Sequence, residues 1–333
     1  MNLKSMWLCA AGKTLGATVL AAVLAAPLAT LADPASYPDR PVKFLVPYPP
    51  GGGTDVIARI VQAKFQSALG QPIVIDNRGG AGGSLGTELV AKSAPDGYTV
   101  LFTLSSHTIN PAIYPKLSFN TAKDFEPVGT VASLPQILVA NPSFPANTVA
   151  ELIALAKSRP AFVQYASVGN GSPGHLAGEL FNLRSGTQIL HVPYRGGGPA
   201  LNDVLGGQVP LLWVSIPAAA QFVKSGKVKA IAVSTAKRSA AFPDVPTVQE
   251  GGVADFEVDS WYALFVPAKT PRPIIDKLNK ALNDVVGQPD IKDKLLDQGS
   301  EAVGGTPEAL GKVVASELGK WDKLVKQAHI KAD

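Results

Sequence analysis

The residues able to do chemistry in this chain are few and scattered, whereas its glycines are clustered. Gly82-Gly83-Ser84-Leu85-Gly86 spells the G-x-S-x-G of a hydrolase nucleophile turn, where a serine on a tight strand-to-helix corner attacks a carbonyl. Seven loop residues separate Ile75-Asp76 from Ser84, a spacing that does not make that corner. The four histidines, His107, His175, His191 and His329, contain no i,i+4 pair, so a helix-borne zinc site has little support. Asp55 and Arg59 stand four apart and read as a structural ion pair. Gly51-Gly52-Gly53 follows an apolar run but lacks the third glycine of a dinucleotide fingerprint, and no Walker lysine follows any glycine loop. Five Gly/Ser-rich loops remain, at 47–54, 77–84, 103–107, 167–172 and 193–198. Glycine lets backbone N–H groups approach a ligand closely, and a helix N-terminus adds about half a positive charge, so each loop is a candidate anion site. Several such loops on one cleft suit a ligand with a carboxylate at each end. The plainer alternative is that the glycines only permit tight turns.

The elements that must position these loops alternate. Apolar runs at 42–46, 73–75 and 98–103 read as strands, and 54–69 and 84–92 carry helical periodicity. A second series reads as strands at 137–140, 163–166, 188–192, 209–214 and 228–233, with helices at 148–158, 172–183 and 199–205 between them. Helices follow near 273–286, 291–296 and 307–328 and are expected to return to the first sheet. This alternation predicts parallel βαβ units in an α/β chain of two lobes, crossed near 134–140 and 257–264, with the ligand between them.

Composition narrows the class. With 333 residues, 46% apolar and 17% charged, the chain holds enough for about two packed domains. Its 30 basic and 26 acidic residues show no basic stripe, which argues against nucleic acid as a partner. The first 32 residues read as a secretory leader: Lys4 and Lys13 precede an uncharged stretch over 14–32 that ends in Thr30-Leu31-Ala32. An uncleaved anchor is the alternative, weakened by Pro27. Cys9, the one cysteine, lies in that leader, so the exported product has no disulfide and no catalytic thiol.

Nearly the whole chain then falls into a familiar pattern. Pro47-Tyr48-Pro49-Pro50-Gly51-Gly52-Gly53-Thr54-Asp55, Asn77-Arg78-Gly79-Gly80-Ala81-Gly82-Gly83 and Pro95-Asp96-Gly97-Tyr98 come first. In the same order follow Gly169-Asn170-Gly171-Ser172, His191-Val192-Pro193-Tyr194, Gly206-Gly207-Gln208-Val209, Ser260-Trp261-Tyr262 and Pro267-Ala268-Lys269-Thr270-Pro271. Together they resemble the Bug family of extracytoplasmic solute-binding proteins, the periplasmic receptors of tripartite tricarboxylate transporters. The resemblance implies a type II periplasmic-binding-protein fold, two α/β lobes joined by a two-crossing hinge. Residues 33–137 and 262–333 would form lobe 1, and 138–261 lobe 2. It implies no enzymatic activity, no cofactor, a monomer in the periplasm, membrane permease subunits as partners and a small organic carboxylate as ligand. Carried onto this chain, the family's site implies Tyr48, Gly51, Gly52 and Thr54 from the first loop and Ser105, Ser106 and His107 from the third. From the second lobe it implies Gly169, Asn170, Ser172, Tyr194, Arg195 and Ser215. Ser215 stands where many relatives carry an aspartate. Its lack of charge disfavours a ligand ammonium and favours a mono- or dicarboxylate, with Tyr48, Trp213 or Trp261 against an apolar or aromatic body. The competing readings are a secreted hydrolase using Ser84 and a sensor that docks on a membrane kinase. Mass measurement of the exported product is expected to give about 301 residues, beginning after Ala32. Full-length protein recovered from membranes would contradict the leader reading.

Overall fold

The computed structural model describes residues 36–114, 116–160, 162–194, 196–328 and 330, so the leader and Arg195 lie outside the described residues. The chain opens with β1 (Val42–Val46), α1 (Gly53–Leu69), β2 (Ile73–Asn77), α2 (Ser84–Ala91), β3 (Thr99–Leu104), α3 (Ser106–Ile113) and β4 (Phe125–Ser133). The α1 helix forms because Ile57, Val61, Phe65 and Leu69 recur along one face and are buried against the sheet. It stops at Gly70, whose φ of 72° lets its N–H reach back to the Gln66 carbonyl. A second series follows: β5 (Gln136–Ala140), α4 (Val149–Ser158), β6 (Gln164–Ser167), α5 (Pro173–Ser185), β7 (Leu190–Pro193), α6 (Gly197–Leu205), β8 (Leu211–Ser215), α7 (Ile216–Lys224) and β9 (Lys229–Val233). The chain ends with β10 (Trp261–Pro267), α8 (Arg272–Val286), α9 (Pro289–Asp297), β11 (Glu301–Gly304) and α10 (Pro307–Gln327).

Two sheets result, ordered β11-β4-β10-β3-β1-β2 and β7-β6-β8-β5-β9. The expected parallel βαβ units are present, within sheets that are mixed. The neighbours β2, β1 and β3 are parallel, as are β7, β6 and β8, but β10 and β11 run opposite in the first sheet and β5 in the second. The reason is the route of the chain. β4 leaves the first sheet at the edge where the glycine loops lie, with Ser133 opposite Trp261, and β5 enters the second sheet at its loop edge, with Gln136 opposite Ser215. A strand entering at the loop edge must run backwards relative to the parallel strands that end there. β10, entering after β9, does the same. Because both crossings join loop edge to loop edge, the two sets of loops face each other.

The first crossing is only Leu134-Pro135, and the second occupies residues 234–260. They are bonded side by side: the Leu134 N–H donates to the Ser260 carbonyl, and the Gln136 N–H to Ser234 Oγ. A correction concerns the late helices. α8 packs on the first sheet through Ile274, Leu278 and Leu282. α10, however, places Leu310 and Val314 beside Trp261 and Phe265, while Trp321, Leu324 and Val325 join Leu138, Trp213 and Phe256 in the second core. The last helix therefore ties both sheets.

Beside the second crossing lies a cavity of about 450 Å³ lined by Glu257, Asp259, Trp261, Glu317 and Lys320; the glycine loops do not line it. Burial, then Glu257, Glu317 and Glu301, push the Asp259 carboxyl up from 3.8 to about 7, against Lys320. The folded chain thus keeps a proton that the unfolded chain releases above about 4, so the stability contributed by Asp259 falls as pH rises through that window. Asp259→Asn is expected to be more stable than the parent at pH 8, with the difference closing towards pH 4, read from paired unfolding midpoints. A packing test comes from α5. Gly178 lies so close to Tyr165 that a Cβ would stand 2.1 Å from the ring, and the Tyr165 hydroxyl is fixed by its 2.7 Å bond to Glu179. Gly178→Ala gains about 1 kcal/mol of helix propensity. It should nonetheless lose about 1–3 kcal/mol overall through overpacking, measured by urea unfolding.

Candidate ligand-binding site

The first loop is held from beneath by one carboxylate. Asp55 is 2% exposed, and its Oδ2 accepts from the Gly51 N–H at 2.8 Å and from Arg59 Nε at 2.9 Å. Its Oδ1 accepts from Asn77 Nδ2 at 3.1 Å, and the same amide donates to the Tyr48 carbonyl. Burial raises the Asp55 pKa, but Arg59, Gly51 and Asn77 outweigh it and hold the carboxyl below its usual range. Gly51 needs its glycine, with φ at 78°; Gly52 has φ at −74°, which any residue adopts. The Gly51 and Gly52 amides are already used, the latter on the Pro49 carbonyl, and the Val56 N–H closes the first turn on Gly52. The amides left for an incoming anion at this helix start are those of Gly53, Thr54 and Asp55.

The neighbouring loops converge on Tyr48. Its phenol contacts the side chains of Ser106 and Thr103, and a Cβ on Gly83 would come within 2.9 Å of its hydroxyl. The structure thus brings Tyr48, Gly51, Gly52, Thr54 and Ser106 to one edge. Ser105 sits at the same edge, its N–H donating to the Trp261 carbonyl and its Oγ buried without a protein partner among the described residues. His107 turns the other way. It is 3% exposed, wedged between Phe125 and Phe265 at 4.9 and 4.7 Å, and burial holds its pKa down at about 3. Its neutral ring belongs to the core and does not line the loop edge. Ser84 Oγ meets Asn110 Nδ2 at 3.3 Å, an amide and not a base, so among the described residues no base is bonded to it to activate it as a nucleophile.

On the second sheet the loop after β6 satisfies its own donors. The Gly169 N–H reaches Ser167 Oγ at 3.2 Å, the Gly171 N–H reaches His175 Nδ1 at 3.1 Å, and the Ser172 N–H reaches the Gly169 carbonyl. Ser172 Oγ caps α5 by accepting from the His175 N–H. His175 stacks on His191 at 3.8 Å between ring centres, and His191 Nε2 lies 2.6 Å from Ser167 Oγ. Burial, then the neighbouring His175, hold His191 down at about 3. An amide cradle is therefore not what this loop offers. Gly171 comes close to the first sheet's α3, since a Cβ there would lie 2.5 Å from Ile113 Cδ1. The Tyr194 hydroxyl is committed to Asp203 Oδ2 at 2.6 Å, and burial, with that carboxylate, pushes its pKa up to about 12. Ser215 stands at the head of α7, on the loop edge.

Two aromatic expectations change. Trp213 stacks on Phe256 inside the second core, and Trp261 turns to the α10 face, donating from Nε1 to Glu317. The residue that sequence reasoning passed over is Tyr262. Strand alternation sends it to the face opposite Trp261, beneath the start of α1, and a Cβ on Gly53 would lie 3.1 Å from its hydroxyl. The alternation was readable; the direction of β10 was not.

Residues 57–330 match the TctC model, described as a tripartite tricarboxylate transporter family receptor. Protein BugT of Bordetella pertussis is 38% identical over 95% of this chain and 97% of its own length. Among solved structures, Rpa4515 of R. palustris with adipate is 36% identical, covers 89% of this chain and all of its own, and superimposes with a TM-score of 0.78. MatC from Rhodopseudomonas palustris with bound malate is 35% identical, covers 87% of this chain and all of its own, with a TM-score of 0.74. These are receptors rather than enzymes, and the two-sheet α/β architecture is that of periplasmic binding proteins. With a family match over most of its length and end-to-end relatives above one-third identity, the chain belongs to the TctC family of tripartite tricarboxylate transporter receptors, the Bug proteins among them.

Proposed function

We propose that this chain captures a small organic mono- or dicarboxylate in the periplasm and passes it to the membrane permease subunits of a tripartite transporter, acting as a monomer after loss of its leader. The observation that carries the ligand class is the start of α1. Three amides face the loop edge there at the positive end of a 17-residue helix, and Arg59 offsets the charge of Asp55. Relatives with adipate and malate bound support the same class. In this reading 33–137 with 262–333 and 138–261 are two lobes that close on the solute. Tyr48, Thr54 and Ser106 present it from the first lobe, and Asn170, Ser172 and Ser215 from the second. Arg195 is assigned to the same site on the resemblance alone.

The test is a thermal-shift panel of organic acids, amino acids and sugars. A ligand at 100 times its Kd stabilises the fold by about 2.7 kcal/mol, a shift of several degrees. Adipate, malate or another carboxylate is expected to give it. A shift from sugars or amino acids and from none of the organic acids would remove the carboxylate assignment.

A further inference from the structure

Tyr262 is 3% exposed, and its ring packs in the first core with Leu134 and Leu264. Phenylalanine would fill that space equally well. The hydroxyl nonetheless points at the first residue of α1, and among the described residues no hydrogen-bonding group meets it; its nearest titratable neighbour is the Tyr48 phenol. The ring is buried, but the hydroxyl's hydrogen bond remains available to a polar ligand atom. It lies beside the start of α1, where the amides of Gly53 and Thr54 also lack acceptors within the helix. A helix start with unspent amides and a neighbouring hydroxyl offers donors for an anionic oxygen.

We propose that the Tyr262 hydroxyl is a ligand-binding group, donating a hydrogen bond to a carboxylate oxygen of the bound solute at the N-terminus of α1. This rests on the carboxylate reading above and deepens it. β10 enters the first sheet directly from the crossing, so the contact ties the solute to the strand on which the two sheets hinge. Burial and the Tyr48 phenol push the Tyr262 pKa well up, so the group stays a neutral donor across the working range. Tyr48, by contrast, already meets Ser106 and Thr103.

The experiment compares the mature protein with Tyr262→Phe, titrating adipate and malate calorimetrically. Whichever probe the parent binds is expected to bind the variant at least tenfold more weakly, a loss of about 1.4 kcal/mol. The unliganded unfolding midpoint should move by no more than about 2 °C, since the ring and its packing remain. A second readout needs no variant: with tyrosine labelled at Cζ, the Tyr262 resonance of the parent should shift when the probe saturates it. Equal affinity in Tyr262→Phe, or a resonance unmoved by saturating probe, overturns the assignment and leaves the carboxylate reading standing. Failure of the parent to bind any acid of the panel overturns that reading, and this assignment falls with it.

Discussion

Everything about this molecule's binding face follows from how the backbone passes from one sheet to the other. The two passages leave and enter at the loop edges, and they are bonded to each other. The Leu134 N–H meets the Ser260 carbonyl and the Gln136 N–H meets Ser234 Oγ; within the second passage, Ser234 Oγ donates to the Val258 carbonyl and the Val258 N–H meets the Ser234 carbonyl. A pair of adjacent, cross-bonded strands resists twisting and sliding while permitting bending, because rotation about a few backbone torsions leaves the bonds between the strands intact. α10 adds a constraint that a two-strand hinge alone would lack. With Val314 in one core and Trp321 in the other, bending must carry or strain that helix.

The same geometry makes the two faces unequal. The first sheet presents the start of a long helix whose leading amides are unspent, because Asp55 takes up the loop donors that would otherwise compete for an anion. The second sheet presents a loop whose amides are spent on Ser167, His175 and its own carbonyl. Unspent amide donors are thereby concentrated on one face. On the other face Ser215, uncharged, heads α7.

Legibility in the sequence followed burial. Strands buried on both faces, such as 42–46 and 137–140, read as apolar runs, and the glycine loops after them could be placed without coordinates. β4 could not, because Pro127 and Gly129 interrupt its run, and the sheet tolerates them only where that strand bulges against β10. β11 has four residues at a sheet edge, too few to show a period. α3 carries Pro111 within it, which hid a helix and with it the inward direction of His107. The Tyr194–Asp203 bond depends on how α6 folds back over its own loop, and no spacing rule anticipates it.

Neutral histidines are the remaining requirement of the second face. His175 accepts the Gly171 N–H through Nδ1, so that nitrogen carries no proton, and two imidazoles stacked at 3.8 Å would repel strongly if both were charged. The ring that lies over His175 is held far below its ordinary pKa by burial and by that neighbour. Stacking, the Ser167 contact and the loop bonds thus require the same protonation state, and each helps to maintain it. A loop fixed in this way has little conformational freedom left to lose.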